Sequence, residues 1–175
     1  EYNEDNLVEQ ATVDILADIG WEIQTAWHNE IFGVNGNLGR ENKSEVILQK
    51  YLLVALENLN PDLPQSAYKD AYFQIAGREA DKTLDRTNKE KYELIKSGVK
   101  VSFTNDKGEL TKKTLKVFDF NNPDNNHFLA VRQLEVTGEL YNRRPDVVGF
   151  VNGIPLVFFE LKAHTRDLRH AYDDN

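Results

Sequence analysis

The sequence predicts a mixed α/β fold, in which a central mixed β-sheet is flanked by helices and preceded by a helical N-terminal region. Apolar residues recur at helical spacing up to Gly98, and alternating or short apolar runs follow it. The last eleven residues, from the N-cap candidate Thr165, have the pattern of a helix that is just beginning. Helices, then mostly antiparallel strands, then a helix are typical of such a sheet. We expect residues 1–98 to be mainly helical and to pack on a β-rich part, residues 99–175, within one domain of a larger chain.

The helical pattern divides into four segments. The first is closed by Gly20, and the second, an amphipathic stretch within "ENKSEVILQKYLLVALENLNP", is stopped by Asn60-Pro61. Residues 21–33 fit either a strand or an irregular segment, and the glycine-containing stretch after them is typical of a loop. The predicted helices span residues 6–18, 41–60, 64–84 and 88–98.

The strand pattern begins with "VKVSFTNDKGEL", whose "NDKG" is a hairpin turn signal. Four further candidates follow: "KTLKVFDF", "HFLAVRQLEV", "DVVGFV" and "IPLVFFELK". The segments "NNPDNN", "TGELYNRR" and "NG" separate them, and "NNPDNN" has the composition of a turn.

Composition excludes several classes of protein. With 40% hydrophobic and 29% charged residues among 175, the chain can bury a core, and no apolar run approaches the roughly 18 residues of a membrane span. The absence of cysteine excludes disulfides, thiolate metal sites and cysteine nucleophiles. No secretory leader is evident, so we expect a cytoplasmic protein. Methionine is absent even at position 1, which favours a fragment or a processed chain.

The net charge of −8 argues against a surface that holds nucleic acid by bulk electrostatics. The region around "RPDVVGFVNGIPLVFFELK" differs from this average, because its basic residues outnumber its acids. The basic residues are Arg143, Arg144, Lys162, Arg166 and Arg169, and the acids are Asp146, Glu160 and Asp167.

Two charged residues end the most apolar strand. Glu160 and Lys162 are two residues apart and therefore share one face of a strand. The run before them is apolar on both faces, which favours a central strand covered on both sides. Buried charges are costly without a compensating partner, so this strand end is a candidate site.

The register of the Asn152-Gly153 hairpin decides whether Asp146 joins these two residues. A strict two-residue turn pairs Val151 with Ile154 and puts Asp146 opposite Phe159, on the wrong face. A three-residue connection or an equivalent bulge puts Asp146 opposite Glu160. We predict the longer connection or the bulge.

Two opposed carboxylates repel each other, and a hard divalent cation relieves that repulsion. Mg²⁺ prefers one or two carboxylates and several waters, and against a phosphodiester it polarises the phosphoryl oxygen and activates a bound water. Lys162 can orient that water or neutralise the charge that develops. On spacing alone, a structural ion pair at the sheet end is an equally good interpretation.

Pro145-Asp146, thirteen residues and then Glu160-Leu161-Lys162 match the PD-(D/E)xK nuclease pattern. Together with "VFDFNNPDNNHFLAVRQLEVTG" and "VILQKYLLVALENLNPDLP", the motif resembles the N-terminal region of the restriction (motor) subunit of type I restriction-modification enzymes, most firmly from Gly39 to Lys162. The resemblance implies a restriction-endonuclease-like fold.

The resemblance also implies site residues. Asp146 and Glu160 would bind Mg²⁺, and Lys162 would be the catalytic lysine. The Leu161 backbone carbonyl and Glu9 would be further ligands, although a solvated helix face suits Glu9 equally well. The candidates for DNA binding are Arg143, Arg144, Arg166 and Tyr172. Arg143 and Arg144 equally suit strand capping and pairing with acids, and we expect Gln133, Trp21 and Trp27 to be structural.

The implied function is Mg²⁺-dependent hydrolysis of double-stranded DNA by a type I restriction endonuclease, with separate specificity and modification subunits. ATP would be bound only by motor domains of the full-length subunit, because no Gly-x-x-x-x-Gly-Lys-Ser/Thr string occurs here. The alternative is a non-catalytic module that keeps the fold to bind DNA or dock the motor.

Overall fold

The computed structural model describes residues 4–77, 84–138 and 141–162, which form two compact units. The sheet unit comprises the described residues of 1–48 and 127–175, and the hairpin unit comprises those of 49–126. None of the described helices is both long enough and apolar enough to span a bilayer. The helices are α1 (Glu4–Asp18), α2 (Gln49–Leu59), α3 (Gln65–Ala76) and α4 (Leu84–Ser97). The strands are β1 (Glu22–Thr25), β2 (Val99–Thr104), β3 (Leu110–Leu115), β4 (Phe128–Arg132), β5 (Val136–Thr137), β6 (Asn142–Arg143), β7 (Val147–Val151) and β8 (Ile154–Phe159).

The sheet unit contains a four-stranded sheet in the order β1-β4-β7-β8. β1 runs parallel to β4 and the other neighbours are antiparallel, so the sheet is mixed and the predicted α/β class is confirmed. Leu16 of α1 packs in the core with Ala130 and Val147. The Trp21 ring lies against Gly149, where an added Cβ atom would lie only 3.0 Å from the indole, so the close packing of the ring favours a glycine at this point of β7.

The hairpin unit consists of α2, α3, α4, one 3₁₀ turn and the β2–β3 hairpin. Asn60, which ends α2, is 6% exposed. Its amide donates to the carbonyl of Lys116 at 2.9 Å, and its side-chain oxygen accepts from the Lys116 N–H at 2.8 Å. The Tyr68 hydroxyl donates to the Asn60 carbonyl at 2.7 Å. The α2 end, α3 and the chain after β3 therefore meet at one buried residue, Asn60.

The second predicted helix is wrong over its first turns, because α2 begins only at Gln49. Residues 41–48 form a loop whose backbone groups bond to other parts of the sheet unit. The Leu48 N–H donates to the Gly153 carbonyl at 2.8 Å, and the Lys43 carbonyl accepts from Thr137 at 2.9 Å. These contacts replace the hydrogen bonds of a helix.

The prediction that β8 is a central, doubly covered strand is also wrong. β8 is the outer strand of the described sheet, and Leu156, Val157 and Phe158 are between 39 and 62% exposed. Its apolar character on both faces therefore does not reflect burial. The predicted helix from Thr165 lies outside the described residues, and the proposed boundary at residue 98 stays a prediction.

Candidate active site

The β7–β8 hairpin has a two-residue turn followed by a bulge. Val151 pairs with Ile154, and Asn152 and Gly153 have positive φ values of 51° and 78°, as in a type I′ turn. Gly149 then pairs with Val157 and Phe150 with Pro155, so Leu156 is one extra residue. The predicted bulge is thereby confirmed, and the alternative three-residue loop is not formed.

The bulge brings Asp146, which directly precedes β7, beside the end of β8. The last pair of the ladder is Val147 with Phe159, so the next step sets Asp146 opposite Glu160. Asp146 Oδ2 accepts a hydrogen bond from the Leu161 N–H at 2.7 Å, and Oδ1 accepts one from Gln133 Nε2 at 3.2 Å. The Asp146 carboxylate is therefore fixed by donors that lie just beyond the ends of β4 and β8, the two strands that flank β7.

Glu160 and Lys162 form a loose ion pair. Lys162 Nζ lies 3.6 Å from Glu160 Oε1, and the side chains are 20 and 33% exposed, respectively. At this separation the charges attract without a short hydrogen bond, so both groups keep capacity for another partner.

Glu9 is brought to the same place by α1, and it does not lie on a solvated helix face. Glu9 is only 5% exposed. Arg132 Nε donates to Oε1 at 2.6 Å, and Gln133 Nε2 donates to Oε2 at 2.8 Å. Gln133 Nε2 also contacts Asp146 Oδ1, at 3.2 Å. Glu9 Oε2 and Asp146 Oδ1 therefore lie at most about 6.0 Å apart, because both are bonded to the same nitrogen.

The chemistry of this set fits a hard divalent cation. Glu9, Asp146 and Glu160 carry three negative charges against the two positive charges of Arg132 and Lys162, and oxygen ligands are those that Mg²⁺ prefers. As the side chains stand, no group of three or more His, Asp or Glu within 4–77, 84–138 and 141–162 is arranged to hold a metal ion. The acids are instead engaged by protein donors, so the ligand types fit although no ready-made cage exists.

Two arginines beside the site lie over aromatic rings. The Arg144 Cζ atom is 3.7 Å from the centre of the Trp27 ring, and Arg143 Cζ is 5.4 Å from that of Tyr141. The rings are 41 and 67% exposed. No carboxylate in the described part of the chain forms a close ion pair with either arginine, and only the longer-range attraction of Arg144 to Glu135 matches the expectation that they pair with acids. We call these four residues the arginine–aromatic surface.

The arginine–aromatic surface is continuous with two cavities of about 300 Å³ each, which share Lys43 and Glu135 in their linings. Lys43 hydrogen-bonds to Glu135. This bond, together with the charges of Lys43 and Arg144, holds the pKa of the Glu135 carboxyl below its ordinary value. One cavity is also lined by Gln133, whose side chain contacts Glu9 and Asp146.

The structure thus brings together Glu9, Asp146, Glu160, Leu161 and Lys162, with Arg143 and Arg144 nearby. Arg166 and Tyr172 lie outside the described residues. Sequence reasoning missed Gln133 and Trp27 as members of the site. The available signal was the polar pair Arg132-Gln133 directly after "FLAV", the same pattern of charge at an apolar strand end that indicated Glu160.

A family model described as the type I restriction enzyme R protein N terminus matches residues 1–174. The chain is 36% identical to the "Type I restriction enzyme HindI endonuclease subunit" of Haemophilus influenzae, over 97% of this chain and 16% of that protein. It is 31% identical to the "Putative type I restriction enzyme MjaIXP endonuclease subunit" of Methanocaldococcus jannaschii, over 99% of this chain and 16% of that protein. The chain spans about one sixth of the length of these relatives. It therefore belongs to the family of the type I restriction enzyme R protein N terminus.

Proposed function

We propose that this chain is the Mg²⁺-dependent nuclease part of a type I restriction enzyme R subunit and that it hydrolyses phosphodiester bonds of double-stranded DNA. The observation that carries the proposal is the bulge at Leu156, which sets Asp146 opposite Glu160 with Lys162 two residues further on. The two similar relatives are named endonuclease subunits, which supports the same reaction.

Each residue of the site has a definite part in this reaction. Asp146 and Glu160 would hold the cation, with the Leu161 carbonyl and Glu9 as further ligands. When bound, Mg²⁺ supplies Lewis-acid activation of the phosphoryl oxygen and of a water. Lys162 is held near Glu160 by their 3.6 Å ion pair, where its ammonium group can neutralise charge on the attacked phosphate.

The arginine–aromatic surface suits the DNA backbone beside the scissile phosphate. A guanidinium that stacks on a ring still presents the N–H groups at its edge, which match phosphate oxygens in pairs. Arg143, Arg144 and Lys43 line one cavity against the single acid Glu135, so this surface is positive although the chain carries a net charge of −8. DNA would thus be bound by this local positive surface.

Sequence recognition and translocation belong elsewhere in this proposal. We expect specificity and modification subunits to choose the DNA site, and ATP to be bound by motor domains elsewhere in the full-length subunit. Such an enzyme acts on DNA in the prokaryotic cytoplasm.

A second candidate is a non-catalytic module that keeps this fold to bind DNA or dock the motor. One observation favours it: within the described residues, no three carboxylate or imidazole groups stand ready for a metal. The complete set of two acids and a lysine favours catalysis instead, because a module that only binds DNA has no use for opposed carboxylates.

The test is Asp146→Asn in the full-length subunit, assembled with its partner subunits. This change keeps the size of the side chain and removes one ligand charge. We expect DNA cleavage to fall by at least about 100-fold, while DNA-stimulated ATP hydrolysis stays intact. Asp124→Asn is the matched control, since Asp124 is exposed in the 3₁₀ turn. Unchanged cleavage by Asp146→Asn would leave only the binding module.

A further inference from the structure

Gln133 lies where β4 stops, and its backbone is unusual for a residue with a side chain. Its φ is 52°, a left-handed conformation that non-glycine residues seldom adopt and that concentrates at functional sites. Its N–H donates to the Asp146 carbonyl at 2.9 Å. The backbone is therefore tied to the start of β7 at the same point as the side chain.

The side-chain amide of Gln133 connects two acids. Nε2 lies 2.8 Å from Glu9 Oε2 and 3.2 Å from Asp146 Oδ1. An amide nitrogen carries two hydrogens, so one group serves both carboxylates. With the amide reversed, its oxygen would face two negative oxygens, so the nitrogen must point toward the acids.

The amide lies between the carboxylates, where a cation would relieve their repulsion more fully. A neutral amide offsets only part of the repulsion between two close negative charges, whereas a divalent cation reverses it. The two hydrogen bonds of the bridge also differ. The 3.2 Å bond to Asp146 is at the long end of the range and is the easier one to exchange.

We propose that Gln133 is a positioning residue, and that its amide and a divalent cation are alternative bridges between Glu9 and Asp146. The amide keeps the acids together when no cation is bound, and it gives up Asp146 when a cation binds. This inference rests on the proposed function, because a cation is expected at this place only in a nuclease site. It replaces the purely structural role that the sequence indicated for Gln133.

The experiment compares Gln133→Met with the natural chain by amide hydrogen exchange in the full-length subunit, without nucleotide or DNA and with Mg²⁺ alone as the probe. Methionine has nearly the same length, lacks the donor and has the same difficulty with positive φ, so the amide is the main difference. The reporter is the Leu161 N–H, which donates to Asp146 at 2.7 Å. The matched control is Gln10→Met, because Gln10 accepts from Arg132 at 3.0 Å and its exposed side chain donates to Asp14.

Without Mg²⁺ we expect the Leu161 amide to exchange about tenfold faster in Gln133→Met than in the natural chain, since the hydrogen bonds to two carboxylates are lost. Saturating Mg²⁺ should abolish this difference, and the variant should reach saturation at lower Mg²⁺ because no amide bridge has to be displaced. Gln10→Met should follow the natural chain at both limits.

Two results would overturn the role of Gln133 alone. If the exchange rates of the Leu161 amide in Gln133→Met and in the natural chain differ equally with and without Mg²⁺, the residue is purely structural. If the difference between these rates grows with Mg²⁺, the residue is a metal ligand. If Leu161 exchange fails to respond to Mg²⁺ in the natural chain and in the control as well, the proposed metal chemistry itself fails, and the role of Gln133 fails with it.

Discussion

Arg40 is the residue whose replacement should most disturb the sheet unit. Its side chain is fully buried, and Nε and Nη2 bond to Glu30 at 2.5 and 2.6 Å. Nη2 also donates to the Glu135 carbonyl at 2.8 Å, and Nη1 approaches the carbonyls of Lys43 and Glu45 at 3.4 and 3.3 Å. One guanidinium thus ties together three separate pieces of chain, and each of them contributes a residue to the lining of the cavities beside the site.

The size of the effect follows from what Arg40→Met leaves behind. Methionine refills most of the space, but Glu30, whose side chain is 7% exposed, loses its counter-charge. Removing one partner of a buried ion pair costs about 3–5 kcal/mol of the free energy of unfolding. For a chain of this size, that corresponds to roughly 6–20 °C in the melting temperature.

A double variant separates the charge from the packing. In Arg40→Met/Glu30→Leu neither charge remains, so we expect at least half of the lost stability to return, although the carbonyls of Glu45 and Glu135 still lose the hydrogen bonds from Arg40. Trp21 and Trp27, the two tryptophans of the chain, lie in the sheet unit, so their fluorescence during urea unfolding reports on the unit that Arg40 holds. The control is Lys113→Met on an exposed strand position, which should change stability by less than about 0.5 kcal/mol.

A loss below about 1 kcal/mol for Arg40→Met would contradict the buried-pair argument. So would a double variant as unstable as the single one, because the cost would then lie in the lost carbonyl contacts and not in the stranded carboxylate.

Three further changes test other parts of the structure. Deleting Leu156 should make the β7–β8 ladder regular while the two acids stay opposed, so DNA cleavage by the assembled enzyme should largely survive; inserting an alanine after Leu156 should abolish it. Asn60→Ala removes a buried amide that exchanges two hydrogen bonds with Lys116 and should cost about 2–4 kcal/mol in urea unfolding. The pKa of Glu135 is lowered, first by its hydrogen bond to Lys43. Its ionised carboxylate therefore stabilises the folded chain at pH values above its ordinary pKa of 4.5. The difference in melting temperature between the natural chain and Glu135→Gln should therefore be present at neutral pH, disappear as the pH falls well below 4.5, and shrink in high salt.

The elements that could be predicted are those whose signals are local. The spacing of apolar residues before Gly20 predicts α1, and "NDKG" predicts the β2–β3 hairpin, because both structures are stabilised mainly by contacts close in sequence. The Asn152-Gly153 turn forms as predicted, since these two residue types tolerate positive φ best. The opposition of Asp146 and Glu160 also needs the bulge at Leu156, because counting residues around the two-residue turn alone places Phe159 opposite Asp146.

The elements that could not be predicted depend on distant partners. The pattern of residues 41–48 suits a helix, but Arg40 and neighbouring strands take their backbone groups, and no local signal reveals a partner at Glu135. The exposure of Phe158 depends on the position of β8 in the sheet, and that position cannot be predicted from the composition of the strand. From the sequence alone, Gln133 looks like an ordinary strand residue, because its contacts with Glu9 and Asp146 appear only in the structure.

The site arises from two irregularities on either side of one regular strand. β7 lies between β4 and β8, and Asp146 stands at its start. On one side, the extra residue Leu156 shifts β8 so that Glu160 and the Leu161 N–H reach Asp146. On the other side, the left-handed backbone at Gln133 ends β4 early and turns its amide toward the same carboxylate. Bulges and strained residues often redirect side chains beside active sites. With all residues of this sequence retained, a ladder without the bulge would place Phe159 opposite Asp146 instead of Glu160. Periodicity therefore predicts the strands, whereas the departures from periodicity build the site.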